Sequence, residues 1–234
     1  MFVLSLAGAA PAGAQDYDAA RADMMRVLES HRPEMERLIA PGALADDVLA
    51  VMGRVPRHAF VPDAVRAQSY DNRPLAIGSG QTISQPLIVA LMTSLLRPRP
   101  GDVVLEVGTG SGYQAAVLSP LVKQVHTIEI VAALAAEAKE RLARMGYDNV
   151  EVRTGDGYQG WPEAAPFDGI LVTAAPERIP ERLVAQLKPG GRMVVPVGAV
   201  AAVQQLTVID KDAAGAVRAR EVLPVRFVPM TGGK

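Results

Sequence analysis

The feature that most restricts the possible folds is an apolar strand that runs directly into a glycine-rich turn and then into a helix. Residues 105–113 read LEVGTGSGY, with the strand at 103–107 and the helix beginning at Tyr113. Glycines permit positive φ angles and let a ligand approach the main chain, and the N-terminus of the helix presents free N–H groups. The pattern predicts a ligand site at the end of a buried strand. The alternative is a turn that only packs the helix on the sheet.

Beyond residue 100, apolar strands and amphipathic helices alternate. Strands are predicted at residues 103–107, 125–129, 150–153, 167–173 and 192–197, with helices at 113–118, 132–144 and 180–187. Such alternation predicts an α/β fold with a mostly parallel sheet that helices cover on both faces. Two more apolar runs, at 205–209 and 222–228, flank a polar turn and predict a C-terminal antiparallel strand pair.

The first hundred residues predict an N-terminal helical extension. Helical spacing and proline or glycine breaks place helices at residues 16–39, 45–52 and 85–96. We therefore divide the chain into a tail (1–15), an N-terminal helical region that includes the substrate-site segment (16–97), and the α/β core (98–234).

The tail has two interpretations. Residues 2–12 are small and apolar, and Ala12-Gly13-Ala14 resembles a signal-peptidase site. However, the first charged residue is Asp16, so the positive segment of a secretory signal is missing. The other interpretation is a disordered or mis-assigned N-terminus, with Met24 or Met25 as the start.

Composition excludes several classes of protein. Lys and Arg total 24 against 25 Asp and Glu, which argues against a nucleic-acid binder that works by neutralising phosphates. The chain has no Cys and only three scattered His, so we expect neither disulfides nor a metal site. No apolar run reaches the length of a membrane span. We expect a monomer that binds neither nucleic acid nor membrane.

Two acidic residues suggest that the glycine loop binds a nucleoside. Glu129 ends the strand after the loop, 17 residues beyond Gly112, where a carboxylate accepts hydrogen bonds from ribose hydroxyl groups. Asp156, within Gly155-Asp156-Gly157, follows the next strand and is placed to accept from an adenine amine. The alternative for Asp156 is an ordinary Asp-Gly turn.

The spacing of the loop favours S-adenosylmethionine over a dinucleotide. Dinucleotide folds use G-x-G-x-x-G, whereas this loop is G-x-G-x-G with Tyr113 in the sixth place. Glu106 at the strand end repels a phosphate but suits a cationic sulfonium or amine. A nicotinamide-dependent oxidoreductase, the more distant alternative, is further disfavoured because the chain has no Tyr-x-x-x-Lys pair. A binding module without catalytic activity is disfavoured by the assembled site.

With these motifs in place, residues 45–230 resemble the protein-L-isoaspartate O-methyltransferase family. The resemblance rests on PRHAFVP at 56–62, GQTISQP at 80–86, LEVGTGSGYQ at 105–114, GDG at 155–157, PFD at 166–168, VTAAP at 172–176 and RFVP at 226–229. It implies a Rossmann-like methyltransferase fold, S-adenosylmethionine as methyl donor, and isoaspartyl-containing proteins and peptides as substrates. It also implies a cytoplasmic enzyme, whereas a working signal at residues 1–14 would export it.

The resemblance places the active-site serine at Ser84. The acceptor is a carboxylate that is already ionised at pH 7, so the site needs positioning rather than a general base. Ser84 is thus predicted to orient the acceptor, not to act as a nucleophile. A second role, as N-cap of the helix that begins near Pro86, is also open.

The remaining site predictions concern the cofactor and the peptide. Cofactor contacts are predicted at Gln81, Thr82, Ile83, Glu106, Gly108, Thr109, Gly110, Gly112, Glu129, Asp156 and Gly157. Asp168 is a further candidate for the donor pocket, and residues 225–229 either bind an extended peptide or form an edge strand. A methyltransferase that acts on another carboxylate or on a small molecule is the closest alternative function.

Overall fold

The computed structural model describes residues 16–199 and 202–233. The helices are α1 (Tyr17–Leu38), α2 (Asp46–Met52), α3 (Pro86–Leu96), α4 (Tyr113–Leu118), α5 (Ala132–Arg144) and α6 (Glu181–Ala185). The strands are β1 (Leu75–Gly78), β2 (Gln81–Ile83), β3 (Val103–Val107), β4 (Gln124–Glu129), β5 (Val150–Thr154), β6 (Phe167–Val172), β7 (Leu187–Val197), β8 (Gln204–Lys211) and β9 (Val217–Val225). Residues 1–15, with the possible signal sequence, lie outside the described residues.

A seven-stranded sheet in the order β5-β4-β3-β6-β7-β8-β9 forms the centre of the molecule. The strands from β5 to β7 run parallel, and β8 and β9 are antiparallel to their neighbours. After β3 the chain adds β4 and β5 on one side, and it then crosses to β6 on the other. In such sheets a ligand crevice opens at the carboxyl ends of the strands where the order reverses. The predicted fold class is therefore confirmed, and the glycine loop lies at this crevice.

The N-terminal region packs on this sheet. All three predicted helices are present, and α3 contacts β6 and β7. A short antiparallel hairpin, β1–β2, was not predicted, because its strands have only four and three residues. Its turn uses positive φ angles at Ser79 and Gly80.

Two predicted boundaries were wrong. β7 begins at Leu187, which pairs with Phe167 of β6, rather than at 192. The ladder between β6 and β7 shifts register just after this pair. Glycine is needed at position 191 there, because a Cβ atom would lie 2.9 Å from the carbonyl oxygen of Asp168. β9 begins at Val217 and ends at Val225. Its first five residues are exposed on the edge of the sheet, so they lack the apolar pattern that marks a buried strand.

Within residues 16–199 and 202–233, none of the helices combines the length and the apolar character that a membrane crossing requires.

Candidate functional site

Two cavities meet at the carboxyl ends of the parallel strands. The first, here called the donor cavity, lies against the glycine loop. Its lining residues are Gln81, Thr82, Val107, Gly108, Gly110, Ile128, Glu129, Ile130, Gly157, Thr173, Ala174, Val228, Pro229, Met230 and Thr231. Six of the residues predicted to contact the cofactor are in this lining. Ile83, Glu106 and Thr109 line a smaller cleft directly beneath it, which also includes Thr82 and Ser84.

The glycine loop has a conformation that other residues adopt only with strain. Gly108, Gly110 and Gly112 have φ angles of +99°, +52° and +87°. A Cβ atom on Gly108 would lie 2.4 Å from Oγ1 of Thr173, the hydroxyl that donates to the Gly108 carbonyl at 2.7 Å. A Cβ atom on Gly112 would instead lie 3.1 Å from Leu142 of α5. Gly112 therefore allows the start of α4 to pack closely against α5, while Gly108 and Gly110 line the donor cavity.

The carboxylate of Glu129 is fixed by main-chain donors. Its Oε2 accepts from the N–H of Gly110 at 2.8 Å, and its Oε1 accepts from the N–H of Val131 at 2.9 Å. The residue is buried, yet it lines the donor cavity. Each carboxylate oxygen can accept a second hydrogen bond, so this group can receive hydroxyl groups of a ligand without moving.

Glu106 is fully buried under the glycine loop. Its Oε2 accepts from Oγ1 of Thr127 at 2.6 Å, and that hydroxyl also bonds Oγ1 of Thr109. Its Oε1 has no partner among the described residues. Burial, with a smaller contribution from the charge of Glu129, raises the pKa of Glu106 to about 8. Burial therefore favours the protonated form of the Glu106 carboxyl group, whereas the sequence predicted an anion at the strand end.

This arrangement fits a ligand with a positive charge. A cationic N–H group beside the loop would favour the ionised form of Glu106, and its Oε1 atom, which has no partner among the described residues, would then accept a hydrogen bond from that group. The glycines leave room for such a group to approach the main chain.

The carboxylate of Asp156 is already engaged within the protein. It caps a short 3₁₀ helix by accepting from the N–H of Tyr158 at 2.9 Å, and it accepts from the N–H of Gly233 at 2.8 Å. The turn interpretation is thus confirmed. In the described chain, the neighbouring Gly157, rather than Asp156, lines the donor cavity. A role of Asp156 towards adenine stays a prediction.

The C-terminal tail, residues 228–233, contributes residues 228–231 to one side of the donor cavity. The sequence singled out only Val228 and Pro229 of this tail, as part of a peptide-binding segment, and gave no signal for the rest. Pro229 and Ala175 form a bridge outside the named strands, and the N–H of Met230 donates to the Ala175 carbonyl at 2.8 Å. The Met230 side chain is buried near Val107 and Gly157. More than fifty residues separate the tail from Ala175, so no local sequence pattern could place it there.

The second cavity, here called the acceptor cavity, has a volume of about 560 Å³. Its lining residues are Met35, Pro74, Thr82, Ser84, Gln85, Leu87, Ile88, Leu91, Thr173, Val203, Leu223, Pro224, Val225, Arg226, Phe227 and Val228. Thr82 and Thr173 line both cavities, so the two adjoin. Sequence reasoning missed Thr173 as a site residue, although it lies in the VTAAP motif.

Ser84 lies between β2 and α3, and it lines the acceptor cavity and the smaller cleft that adjoins the donor cavity. Its proposed role as N-cap was wrong: the N-cap position is Gln85, and Oδ1 of Asn72 accepts from the N–H of Leu87 at 3.1 Å. The Ser84 carbonyl accepts from Nη2 of Arg57 at 2.7 Å. Among the described contacts, the hydroxyl group of Ser84 has no protein partner.

Asp168 is far from these cavities, so its suggested role in the donor pocket was wrong. It lies at the amino end of β6, the opposite edge of the sheet from the cavities. There it accepts from the N–H of Val103 and pairs with Lys188 at 2.7 Å. The edge-strand interpretation of residues 225–229 holds only at Val225, where β9 ends. Residues 225–228 continue along the wall of the acceptor cavity.

Comparison with known proteins agrees with the motifs. The sequence model of the family "Protein-L-isoaspartate(D-aspartate) O-methyltransferase" matches residues 29–234. The chain is similar to protein-L-isoaspartate O-methyltransferase 2 of Syntrophobacter fumaroxidans, with 57% identity over 100% of this chain and 95% of the relative. It is also similar to protein-L-isoaspartate O-methyltransferase 2 of a Polaromonas species, with 61% identity over 81% of this chain and 90% of the relative.

Solved structures share the fold. A protein-L-isoaspartate O-methyltransferase superposes with a TM-score of 0.79 at 28% identity, over 91% of this chain and 66% of that protein. A Plasmodium falciparum protein, described as a putative protein-L-isoaspartate O-methyltransferase in complex with S-adenosyl-L-homocysteine, gives a TM-score of 0.71 at 25% identity, over 89% and 98% of the two chains. From its motifs, its fold and its close relatives, this chain belongs to the protein-L-isoaspartate(D-aspartate) O-methyltransferase family.

Proposed function

We propose that this chain transfers a methyl group from S-adenosylmethionine to the α-carboxyl group of L-isoaspartyl residues in damaged proteins and peptides. The observation that carries the proposal is the position of Ser84, which lines the acceptor cavity and the smaller cleft that shares Thr82 and Gly108 with the donor cavity. A methyl donor in one cavity and a carboxylate in the other would face each other at this residue.

The donor cavity supplies the groups that hold the cofactor. Glu129 receives the ribose hydroxyl groups on its two fixed oxygens, and the Gly108–Gly110 loop receives the methionine end. The unpartnered oxygen of Glu106 accepts from the cationic part of the ligand. Gln81 and Thr82 close the cavity on the side of the acceptor. Contacts of Asp156 and Gly157 with the adenine are part of the proposal, which Gly157 supports because it lines the donor cavity. When bound, S-adenosylmethionine supplies an electrophilic methyl group on a sulfonium ion.

The acceptor cavity supplies orientation and exclusion of water. The isoaspartyl carboxylate has a pKa near 4 and is already ionised at pH 7, so no general base is needed. Ser84 donates a hydrogen bond to one oxygen and leaves the other free to attack in line. Apolar walls, including Leu87, Leu91 and Phe227, remove water from the carboxylate.

The chemistry after transfer needs no further residues. The carbonyl carbon of the methyl ester is more electrophilic than that of the carboxylate, so the neighbouring main-chain nitrogen attacks it, and loss of the N–H proton together with the methoxy group as methanol closes a succinimide ring. Hydrolysis of that ring returns a share of normal aspartyl linkages.

Residues 224–228, which run along the cavity wall, would hold the main chain of the peptide in an extended form.

The proposal also includes the oligomeric state of the enzyme and its location in the cell. One chain lines both cavities, so we propose that the enzyme works as a monomer. We place it in the cytoplasm, because the repair reaction consumes a donor made there. Light scattering of the purified protein tests the first point, and fractionation of cells that express the full chain tests the second. Release of a shortened protein outside the cytoplasm would favour the signal-sequence interpretation of residues 1–14.

The function is tested with two peptides that differ only in one isoaspartyl or aspartyl linkage. We expect label from S-adenosylmethionine to appear only on the isoaspartyl peptide, as a base-labile ester. Transfer to both peptides, or to neither while S-adenosylhomocysteine still binds, would contradict the proposal. The latter result would favour a methyltransferase for another carboxylate or a small molecule.

A further inference from the structure

A buried arginine connects the acceptor serine to the cofactor side of the site. Arg57 begins the 3₁₀ helix Arg57–Phe60, directly after Pro56, and its side chain is completely buried. Neither the donor cavity nor the acceptor cavity has Arg57 in its lining. Any influence of this residue on the reaction must therefore act through the groups that it contacts.

The guanidinium group of Arg57 joins three separate segments. Its Nε donates to the carbonyl of Ser69 at 2.7 Å, and its Nη2 donates to the carbonyl of Ser84 at 2.7 Å. Its planar group lies over the ring of Tyr113, with Cζ 4.8 Å from the ring centroid. Tyr113 is the first residue of α4, immediately after the glycine loop. One side chain thus contacts both the segment that carries the acceptor serine and the helix that follows the cofactor loop.

The burial of the Arg57 guanidinium group carries a desolvation cost that the stability of the fold alone does not explain. The described residues contain no carboxylate in an ion pair with Arg57, and its Nη1 has no partner. Burial without a counter-charge lowers the pKa of the guanidinium group. Replacing buried charges by apolar side chains of similar volume is often neutral or stabilising. A role in packing alone would thus be met by a residue such as methionine, whereas the two carbonyl contacts require an arginine fork.

We propose that Arg57 is a positioning residue for methyl transfer, which holds the main chain of Ser84 at a fixed place relative to α4 and the glycine loop. The inference rests on the proposed function of Ser84. Small displacements matter in such a reaction, since a shift of about 1 Å in a reacting group can lower the rate about 100-fold. Lysine keeps the charge but cannot reach both carbonyl groups in the same geometry, and methionine keeps the volume alone.

The test compares Arg57→Lys and Arg57→Met with wild type and with a matched control. Arg54→Met is the control, because Arg54 is exposed and lies three residues earlier on the same segment. Calorimetric titration with S-adenosylhomocysteine counts the folded, cofactor-competent sites. Steady-state kinetics with an isoaspartyl peptide then give kcat and KM for each competent site.

We expect both Arg57 variants to bind S-adenosylhomocysteine within about 3-fold of wild type, because the donor cavity is intact. We expect kcat per competent site to fall about 10- to 100-fold, with a smaller change in KM and a larger loss for methionine than for lysine. Unchanged kcat per competent site in both variants would overturn the inference. If methionine prevents folding, the lysine variant alone decides. Failure of the proposed function is distinct, since wild type itself would then not methylate the peptide.

Discussion

The donor and acceptor cavities adjoin, but they are built in opposite ways. The donor cavity includes the strand–loop–helix unit from β3 to α4 and the next strand end at Glu129, and residues of β2, the segment after β6 and the C-terminal tail complete its walls. The acceptor cavity collects side chains from α1, α3, β9 and the segment after β2. The glycine loop and Glu129, which form the part of the donor cavity predicted to hold the cofactor, are local in sequence and held by main-chain hydrogen bonds. The acceptor cavity exists only when distant segments pack together.

This difference has a functional consequence. Main-chain contacts to the carboxylate of Glu129 and strained glycines leave the donor side little freedom to accept substitutions. The acceptor side has mostly apolar side chains, with Ser84 among its few polar groups. We therefore expect substitutions on the two sides to separate cleanly, with donor-side changes altering cofactor affinity and acceptor-side changes altering turnover or peptide binding.

The largest effect is expected for Gly108→Ala. The new Cβ atom would lie 2.4 Å from Oγ1 of Thr173, at a φ angle of +99°. We expect affinity for S-adenosylhomocysteine, measured by calorimetry, to fall at least about 100-fold, because both strain and a clash distort the loop. Gly101→Ala, just before β3 with open space around its Cα, is the matched control and should bind normally. Normal binding by both variants would show that the loop does not hold the cofactor.

Ser84→Ala tests the acceptor side. We expect kcat for an isoaspartyl peptide to fall about 10- to 100-fold, because the carboxylate loses its orienting donor, while affinity for S-adenosylhomocysteine stays the same. Ser30→Ala, on the exposed face of α1, should change neither quantity. A loss of cofactor affinity in Ser84→Ala, with kcat intact, would reverse the assignment of the two cavities.

The raised pKa of Glu106, on the donor side of the site, predicts that the free energy of unfolding depends on pH. Its pKa of about 8 in the folded protein exceeds the ordinary value of 4.5, so between these values the folded state binds more protons than the unfolded state. The free energy of unfolding should fall as pH rises through this window, by at most about 1.4 kcal/mol per pH unit.

Urea unfolding of wild type and Glu106→Gln from pH 5 to 8 measures this effect. The advantage of wild type over the variant should shrink steadily with rising pH. Glu137→Gln, an exposed position on α5, should run parallel to wild type. Parallel curves for Glu106→Gln as well would mean that Glu106 is already ionised in the folded protein.

The smallest effects are expected at the outer walls. Met230→Ala removes a buried side chain beside the donor cavity and should raise the Kd of S-adenosylhomocysteine about 3- to 10-fold, with peptide KM unchanged. Val203→Ala, on the rim of the acceptor cavity, should raise peptide KM about 2- to 5-fold and leave the cofactor Kd unchanged. A pair of variants that changed both quantities together would show that the cavities act as one site.

The same contrast explains what the sequence could predict. The bounds of β3, α4 and α5 match the predictions because each element has a clear apolar period and an evident break. The exposed start of β9 has no such period. Glu129 was placed correctly at the donor cavity because the ends of neighbouring parallel strands meet at one edge. Its contact with a ribose stays a prediction, like every other ligand contact.

Long-range contacts account for what was missed. Arg57 and Ser84 are 27 residues apart, and Asp156 meets Gly233 over 77 residues. Nothing in the local pattern around Asp156 indicates that its carboxylate is already engaged. The raised pKa of Glu106 was also beyond the sequence, because it follows from complete burial rather than from residue type.

The most direct test of the whole arrangement is a crystal structure with S-adenosylhomocysteine and an isoaspartyl peptide bound together. We expect the ribose on Glu129, the sulfur beside the Gly108–Gly110 loop, and the isoaspartyl carboxylate within about 2.6–3.2 Å of the Ser84 hydroxyl group. A carboxylate bound elsewhere, with Ser84 facing only solvent or the cofactor, would contradict this arrangement.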